Sequence, residues 1–395
     1  MPTTRFQVRN SVPPDISGRL TELCSELGVP EGFPPEVLAE AEALASGGWR
    51  FETHADLTDV PFVTIDPPSS MDLDQAVHIE ACGEGFLVSY AIADVGAWIP
   101  PGGRIDAEAQ RRGQTYYLPS GRAPLHPPAL SEAAASLLAD GAARPAMVWR
   151  LRLDSEGSLT GIELCRAMVR SRAKLSYEQV QRDLDGGQAA EPLRLLREVG
   201  LLRQQLEAAR GGVSLNLPQQ EVESTPGGWR LVYRRALPVE DWNAQVSLLA
   251  GHAAATLMLD AGTGVLRTLP QADELDVARL RRIARSLRID WNREMGYPEF
   301  VRSLDPELPR HLAMSAACVT LFRGAAYTLI DGRVSSGQVS HGALAMPYAH
   351  TTAPLRRLVD RYVLEVCYAV ANGRPVPEWA AAALPGLPET MAASE

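Results

Sequence analysis

The sequence has 395 residues and a formal net charge of −10, with 46% hydrophobic and 22% charged residues. This composition is ordinary for a globular protein, and the length corresponds to two or three domains or to one large domain. A core of this size needs no disulfide bonds or structural metal ions to be stable. The five cysteines are scattered without a CxxC pair, which argues against a disulfide framework and a zinc cage and for a reducing compartment.

The start of the chain and its apolar runs bear on location. The polar opening "MPTTRFQVRNSVPPD" lacks the apolar segment of a signal peptide, and no run approaches the about 18 apolar residues of a transmembrane helix. We therefore expect a soluble, cytoplasmic protein without a membrane partner. The acidic net charge argues against a broad basic surface for nucleic acid, but a local basic channel stays open because the 38 basic residues are nearly all arginine.

Hydrophobic periodicity and turn residues predict a change of structure along the chain. Two helices are followed by strands, and helical periodicity dominates the later part. The predicted helices are 15–27, 36–45, 176–184, 191–209, 239–259 and 275–287, and the predicted strands are 61–65, 74–80, 85–95 and 145–153. A strand-rich first half and a helix-rich second half indicate an α+β fold rather than alternating βαβ units.

The stretch "TIDPPSSMDLDQA", residues 64–76, crowds Asp66, Asp72 and Asp74 within nine residues at the edge of an apolar strand. Asp72 and Asp74 are separated by one residue, so on an extended strand both carboxylates face the same side, with Leu73 opposite. The intervening "PPSS" predicts a turn that is able to bring Asp66 back beside the pair. A hard divalent cation such as Mg²⁺ would offset the crowded charge. The spacing alone leaves an acidic, solvated turn as an equal alternative.

Four further segments follow the acidic cluster in order: "VSYAIADVGAWIPPGGRIDAEAQRRGQTYYLPSGRAPLHPPALSE", "KLSYEQV", "VEDWNAQ" and "YAHTTAPLRRLVDRYVLEV". Together with the cluster, this ordered set resembles the catalytic RNB domain of the ribonuclease II/ribonuclease R family from about residue 51 to 371. The resemblance implies an α+β domain in which a strand-rich first half, with mixed or antiparallel sheets, packs against a helix-rich second half. It also implies a hydrolytic exoribonuclease that uses Mg²⁺, with Mn²⁺ as the alternative, and degrades single-stranded RNA from its 3′ end to nucleoside 5′-monophosphates.

The family's acidic motif is an Asp at the end of a strand, then a short loop, then Asp-x-Asp-Asp. The resemblance implies that Asp66, Asp72 and Asp74 are metal ligands in its first three positions, and Asp74 matches the position most tied to the chemistry. Gln75 occupies the fourth position. Its carbonyl oxygen could be a metal ligand but carries no negative charge, so the choice between one metal ion and two stays open.

The segment "TTAPLRR" is similar to the family's Thr-Ser-Pro-Ile-Arg segment, which implies that Arg356 is the catalytic arginine and contacts the RNA phosphate. From the residues alone, Thr351 or Thr352 caps a helix with Pro354 in its first turn, and the N-terminal end of that helix attracts phosphate. The alternative is an i,i+4 ion pair between Arg356 and Asp360, which the residues alone favour.

The resemblance implies three further RNA-binding residues. Tyr117 matches a tyrosine that stacks near the 3′-terminal bases, while Tyr177 and Glu240 match residues that sense the terminal nucleotides and the ribose 2′-OH. Ordinary core packing is the alternative for each tyrosine. Leu215 stands where the family often has a Phe that clamps the stacked bases, and leucine supplies no π face.

The resemblance also divides the chain. Residues 1–50 match a helical connector, 51–371 the RNB catalytic domain, and 372–395 a tail similar to the start of a helix that leads to an OB-fold in relatives. The chain is then either a compact member of the family or a truncated form.

Two alternative functions stay open. Gln75 and Leu215 support a catalytically impaired, RNA-binding or regulatory protein that kept the fold. A metal-dependent phosphodiesterase acting on DNA ends is the other alternative, and the 2′-OH-sensing candidates Tyr177 and Glu240 argue against it.

Overall fold

The structure is a computed structural model, and it describes residues 7–9, 14–48, 54–118, 121–215, 217–225, 228–332 and 339–394. Within these ranges the strands are β1 (Gln7–Arg9), β2 (Ala55–Leu57), β3 (Val63–Ile65), β4 (Gln75–Cys82), β5 (Gly85–Ala93), β6 (Tyr116–Leu118), β7 (Gly121–Ala123), β8 (Arg144–Leu153), β9 (Leu159–Val169), β10 (Ala173–Leu175), β11 (Gln219–Thr225), β12 (Gly228–Arg234), β13 (Thr263–Thr268), β14 (Ala326–Asp331), β15 (Ser340–His341) and β16 (Met346–Pro347).

The described helices include counterparts of each predicted helix and several short helices that the periodicity did not predict. In the described ranges the α-helices are α1 (Pro14–Glu26), α2 (Pro35–Gly47), α3 (Val95–Trp98), α4 (Arg104–Arg112), α5 (Tyr177–Asp185), α6 (Glu191–Ala209), α7 (Pro238–Ala261), α8 (Glu274–Ser286), α9 (Tyr297–Arg302), α10 (Pro309–Cys318), α11 (Leu358–Ala371), α12 (Glu378–Ala383) and α13 (Leu387–Ala393). A π-helix covers Ala129–Ala134, and 3₁₀ turns cover Val319–Phe322 and Leu384–Gly386.

The largest sheet has seven strands in the order β10-β3-β4-β5-β8-β9-β2. Its inner strands pair antiparallel, whereas β10 and β3 at one edge and β2 and β9 at the other pair parallel. The sheet is therefore mixed, and the strand-rich first half with a helix-rich second half confirms the α+β prediction.

Strand β5 shows how this sheet is covered on both faces. All nine of its residues are buried. Tyr90 and Ile92 belong to the core that the sheet forms with α6, α7 and α11, whereas Ala91 and Ala93 belong to the core on the other face, with α2 and α3. Alternate residues of a strand point to opposite faces, so one central strand contributes to both cores.

Helix α7 crosses one face of the sheet and fixes the segment that leads to Arg356. A Cβ atom added at Gly251 would lie 2.2 Å from the Tyr348 ring and 2.6 Å from the Ala349 carbonyl oxygen. The Gly251 carbonyl also accepts a hydrogen bond from the Ala349 amide at 3.0 Å. Only glycine allows this approach, which sets the position of the chain just before residues 350–357.

Two smaller parts complete the fold. Helices α8, α9 and α10 enclose a third core, in which the rings of Trp291 and Phe300 stack with centroids 3.8 Å apart. Residues 372–395, predicted as a tail, contribute Leu387 and Met391 to the main core. No helix in the described ranges is both long enough and apolar enough to cross a bilayer.

The contact between α6 and α7 generates a stability prediction. A Cβ atom added at Gly200 would lie 2.4 Å from the Cβ atom of Trp242 and 2.8 Å from its Cα atom, neither of which can rotate away. We expect Gly200→Ala to lower the free energy of unfolding by about 1–3 kcal/mol in urea titrations, because overpacking forces the helices apart.

The matched control is Gly18→Ala in α1, where the added Cβ atom meets nothing within 4 Å. This change is expected to be neutral or to stabilise the protein by up to about 1 kcal/mol through helix propensity. Equal unfolding midpoints for the two variants would contradict the packing described between α6 and α7.

Candidate active site

The acidic cluster lies in a loop between two neighbouring strands. Asp66 directly follows β3, and the Ser70 amide closes the predicted turn by donating to the Pro67 carbonyl at 3.0 Å. The predicted strand 74–80 begins one residue later, at Gln75, so Asp72 and Asp74 precede the strand instead of lying on it.

Residues after the π-helix hold this loop. The Ser136 hydroxyl accepts a hydrogen bond from the Leu73 amide at 2.9 Å and donates one to the Met71 carbonyl at 2.6 Å. The Leu73 side chain is fully buried. The loop is thus fixed from inside the core, which sets the positions of the carboxylates on either side of Leu73.

Asp74 is the acidic residue in direct contact with Arg356. Its Oδ1 atom accepts a hydrogen bond from the Leu355 amide at 2.7 Å, and its Oδ2 atom lies 3.3 Å from Arg356 Nε. Burial raises the pKa of Asp74 to about 7, although Arg356 and the Leu355 amide both act to lower it. The Arg356 side chain is 42% exposed, and its terminal nitrogens have no partner among the described residues. The guanidinium is therefore available to an anion.

Asp66 belongs to the same neighbourhood. Burial raises its pKa to about 6, opposed by the charges of Arg356 and Lys174 and reinforced by Asp72. Its Oδ2 atom is buried and has no hydrogen-bond partner within the described residues. The Lys174 ammonium group donates to the carbonyls of the intervening turn, at Pro68 (2.9 Å) and Ser70.

Asp72 has a counter-ion of its own. Its Oδ1 atom accepts a hydrogen bond from Arg122 Nη1 at 3.0 Å, and Arg122 Nη2 lies 2.7 Å from the Glu132 carboxylate. Arg122 pairs with Tyr117 across the β6–β7 hairpin, so their side chains lie on the same face. The hairpin that carries Tyr117 is thereby tied to the acidic loop.

Gln75 is bonded through both ends of its amide group. Its Nε2 atom donates to the Thr352 carbonyl at 2.7 Å. Its Oε1 atom accepts a short hydrogen bond from the Tyr90 hydroxyl and a longer one, at 3.4 Å, from Ser247. The side chain therefore links β4 to the segment that carries Arg356.

The helix predicted to begin at Thr351 or Thr352 begins later, at Leu358. The prediction of a threonine cap was wrong because the Asp360 carboxylate holds the preceding chain in a turn. Asp360 accepts the Ala353 amide at 2.7 Å and two guanidinium nitrogens of Arg357 at 2.9 Å each.

Arg356 consequently lies before the helix rather than in its first turn. Its own carbonyl accepts a hydrogen bond from the Thr115 amide at 2.9 Å. The predicted alternative, an ion pair between Arg356 and Asp360, is not formed, since Arg357 takes Asp360 and Arg356 takes Asp74.

Tyr117 and Tyr177, two of the predicted RNA-binding residues, lie close enough to the acidic loop and Arg356 for the charges of those groups to act on them. Tyr117 is 63% exposed, as a stacking platform requires. Tyr177 begins α5, and its hydroxyl accepts a weak hydrogen bond from Asn243 at 3.4 Å. Burial and the charge of Asp66 raise the pKa of Tyr177 to about 12, so its hydroxyl stays protonated beside the acidic loop.

Glu240 is close enough to Tyr177 for its charge to act on that tyrosine, and Leu215 lies in another part of the fold. The Glu240 carboxylate accepts the Leu237 amide at 2.8 Å, which caps α7, and forms a two-point ion pair with Arg234. Leu215 packs against the third core and lines a cavity of about 470 Å³ together with Trp242.

Sequence reasoning missed two basic residues of the site, Arg122 and Lys174. Lys174 carries a signal that was available, since it is the only lysine among the 38 basic residues of the sequence. Arg122 lies in the same short hairpin as Tyr117, but its pairing with Asp72 joins residues 50 positions apart. No local pattern predicts a contact of that length.

The acidic loop places carboxylate oxygens, which are suitable ligands for a hard metal ion, beside the cationic groups of Arg356 and Lys174. In the described part of the chain, no group of three or more His, Cys, Asp or Glu side chains has an arrangement that could hold a metal ion. Asp66 has an oxygen that is unpaired within the described ranges, and Asp74 is buried with a raised pKa, so a divalent cation would stabilise the charge of both carboxylates.

The fold and this site define an RNB-type domain. Residues 54–373 match the RNB domain family, so the chain belongs to that family. Exoribonuclease 2 of Klebsiella pneumoniae (strain 342) is 36% identical over 169 residues, which cover 42% of this chain and 24% of that protein. Ribonuclease R of Aquifex aeolicus (strain VF5) is 26% identical over 377 residues, which cover 88% of this chain and 51% of that protein. The chain thus matches about half or less of the length of these curated relatives.

Solved structures show the same fold. Mycoplasma genitalium RNase R in complex with ribose methylated single-stranded RNA has a TM-score of 0.81 at 20% identity, covering 94% of this chain and 61% of that chain. Yeast Ssd1, described as a pseudonuclease, has a TM-score of 0.70 at 17% identity, covering 87% of this chain and 43% of that chain. The fold is therefore shared by proteins described as nucleases and as a pseudonuclease.

The Asp360 contacts generate a second prediction. Asp360 is fully buried and holds both the Ala353 amide and Arg357. We expect Asp360→Asn to lower the free energy of unfolding by about 3 kcal/mol in urea titrations, because the partly buried charge of Arg357 loses its fully buried partner.

Asp185→Asn is the matched control, since this carboxylate accepts one exposed hydrogen bond, from Gln181 at 2.9 Å. Its effect is expected to stay within about 0.5 kcal/mol. If Asp360→Asn were equally mild, the ion pair would not be what holds the turn before α11.

Proposed function

We propose that this protein is a divalent-metal-dependent exoribonuclease that hydrolyses single-stranded RNA from its 3′ end and releases nucleoside 5′-monophosphates. The observation that carries the proposal is the contact between Asp74 and the half-exposed Arg356, at 3.3 Å, with the carboxylate of Asp66 in the same neighbourhood. Carboxylates suit a metal ion and a free guanidinium suits a phosphate. Membership of the RNB domain family supports the same reaction class.

The acidic cluster fits a hard divalent cation, Mg²⁺ or Mn²⁺. Asp66 and Asp74 are the proposed donors, whereas Asp72, predicted as a third ligand, is paired with Arg122, and the amide of Gln75, at the fourth position, is hydrogen-bonded at both ends. The buried Asp66 oxygen has no partner in the described part of the chain, and burial raises the pKa of Asp66 to about 6 and that of Asp74 to about 7, so a bound cation would stabilise both charges. When bound, the cation supplies a Lewis acid that activates water and offsets the charge of the phosphodiester.

Arg356 is the proposed phosphate-binding residue. Its Nε atom is held by Asp74, which leaves two terminal nitrogens that are able to donate to two phosphate oxygens. The backbone on either side is fixed by the Asp74–Leu355 and Thr115–Arg356 hydrogen bonds. A donor held in this way stabilises charge that develops on the phosphate without first having to reorganise.

The RNA contacts follow from exposure and from free hydrogen-bonding capacity. Tyr117 offers an exposed ring on which the terminal base stacks. Tyr177 keeps a protonated hydroxyl, and the Glu240 carboxylate, with three of about four acceptor positions in use, retains one for a ribose 2′-OH. A 2′-OH contact is what distinguishes RNA from DNA at such a site.

The test is a time course on 5′-labelled single-stranded RNA with Mg²⁺, with EDTA, and with the variant Asp74→Asn. We expect short limit fragments with Mg²⁺ alone and a loss of at least about 100-fold in rate for Asp74→Asn, because asparagine keeps the Leu355 hydrogen bond but not the charge. Asp140→Asn is the control, since its carboxylate is also paired with an arginine, Arg144, but lies in the loop before β8 and belongs to no predicted site, so its rate should stay near wild type. Undiminished degradation by Asp74→Asn would overturn the assignment.

One observation favours the alternative, a catalytically impaired RNA-binding protein. The Oε1 atom of Gln75 already accepts hydrogen bonds from Tyr90 and Ser247. The fourth motif position therefore carries no negative charge, and its oxygen is already in use. If the wild-type protein binds the labelled RNA but leaves it intact with Mg²⁺ or Mn²⁺, this alternative replaces the exoribonuclease. Degradation of DNA at the same rate as RNA would indicate the third possibility, a DNA phosphodiesterase.

Tyr117 generates a prediction about binding. Because a base stacked on an aromatic ring contributes about 1–3 kcal/mol, Tyr117→Ala is expected to weaken RNA binding by about 5- to 150-fold. Tyr117→Phe keeps the ring and should bind within about twofold of wild type. Fluorescence anisotropy with EDTA present measures both. Equal losses for the two variants would show that the hydroxyl, not the ring, makes the contact.

A further inference from the structure

The four positions of the acidic motif fall into two pairs with different surroundings. Asp66 has a buried oxygen without a partner among the residues that the structure describes, and Asp74 is held by one amide and one long contact to Arg356. Asp72 and Gln75, in contrast, are engaged by groups of this chain. The difference bears on how many cations the site holds.

Arg122 occupies the position of a cation at Asp72. Its guanidinium lies 3.0 Å from Asp72 on one side and 2.7 Å from Glu132 on the other. Its side chain is 29% exposed, compared with 42% for Arg356, whose contact with Asp74 is 3.3 Å long. Arg122 is therefore the firmly held arginine of the two, and Arg356 is the one that can yield to a ligand.

The surroundings of Arg122 keep it there. It lies on β7, whose pairing with β6 fixes the backbone. Glu132 lies in the π-helix Ala129–Ala134, an irregular turn of the kind that is frequent at functional sites. A second divalent cation bound to Asp72 would lie next to this guanidinium and be repelled by it.

The fourth position is closed to a cation in another way. The Oε1 atom of Gln75 accepts hydrogen bonds from Tyr90 and Ser247, and its Nε2 atom donates to the Thr352 carbonyl. Turning the amide to present its oxygen elsewhere would break the bond to Thr352. Gln75 thus acts as a link between strands and loop, not as a free donor.

We infer that Arg122 is a positioning residue that supplies, at Asp72, the positive charge a second divalent cation would provide, so that Asp66 and Asp74 hold a single cation. This inference rests on the proposed function in that it assumes a divalent cation at the acidic loop. It assigns the charge balance of the site to one metal ion and one arginine.

The test is Mn²⁺ binding to the full chain by isothermal titration calorimetry after removal of metals with EDTA, with no RNA present. We expect one Mn²⁺ per wild-type chain, loss of binding in Asp66→Asn, and one Mn²⁺ with affinity within about threefold of wild type in Asp72→Asn. Two ions bound to the wild type, no ion bound, or equal losses in Asp66→Asn and Asp72→Asn would each overturn the inference.

Variants of Arg122 test the arginine itself. Arg122→Gln leaves Asp72 without its counter-ion, so a second Mn²⁺ or an affinity at least about tenfold higher is expected, whereas Arg122→Lys should keep the wild-type pattern. Arg111→Gln is the control, because Arg111 is exposed and paired with Glu108. Unchanged Mn²⁺ binding in Arg122→Gln would contradict the role. If Arg122→Gln does not fold, the number of Mn²⁺ ions bound by the wild type and by Asp72→Asn tests the inference.

The outcomes separate this inference from the proposed function. One Mn²⁺ with the expected variant pattern, but intact RNA in the time course, leaves the inference standing and removes the exoribonuclease. Degraded RNA together with two bound Mn²⁺ ions supports the exoribonuclease and overturns the inference of a single cation.

Discussion

The constraint on which the site depends is the repulsion among carboxylates crowded into a loop at the edge of a hydrophobic core. Two unit charges about 4 Å apart repel by about 4 kcal/mol at an effective dielectric constant of 20. Positive groups from three distant parts of the sequence converge on this loop: Arg122, Lys174 and Arg356. Their charge does not fully compensate the burial of Asp66 and Asp74, whose pKa values remain raised. The three basic groups thus offset part of the repulsion among the carboxylates, and the raised pKa values show that more positive charge would still stabilise them.

The rest of the fold serves to hold the segment around Arg356 against that loop. Gly251 lets residues 348–349 approach α7, Gln75 holds the Thr352 carbonyl, and Asp360 holds the turn that follows. Each contact comes from a different element: helix α7, strand β4 and helix α11. A displacement of any one of them would change the position of Arg356 relative to Asp74, which is how a mutation far from the loop would reach the chemistry.

The sequence predicted the elements with strong periodicity and missed what depends on contacts over long distances. The helix 191–209 was predicted with its observed bounds, because its apolar residues recur regularly and its ends carry Pro and Gly. The start of α11 was wrong because Asp360, not a threonine, captures the Ala353 amide. The acidic residues could be found from a short motif, whereas the pairing of Asp72 with Arg122 depends on how a hairpin packs on a loop.

Gln75 shows why a departure from a motif needs the structure to be interpreted. An Asp at this position is one methylene shorter and has no N–H group, so it could not make the hydrogen bond that Gln75 donates to the Thr352 carbonyl. The amide supplies the missing donor, so the loss of one negative charge comes with a hydrogen bond that ties β4 to the arginine segment. Asp72, whose charge is retained, already has an arginine as its partner. The Gln75 amide and the Asp72–Arg122 pair both use groups of the acidic motif in contacts within the protein, and the Gln75 contact fixes the segment that positions Arg356.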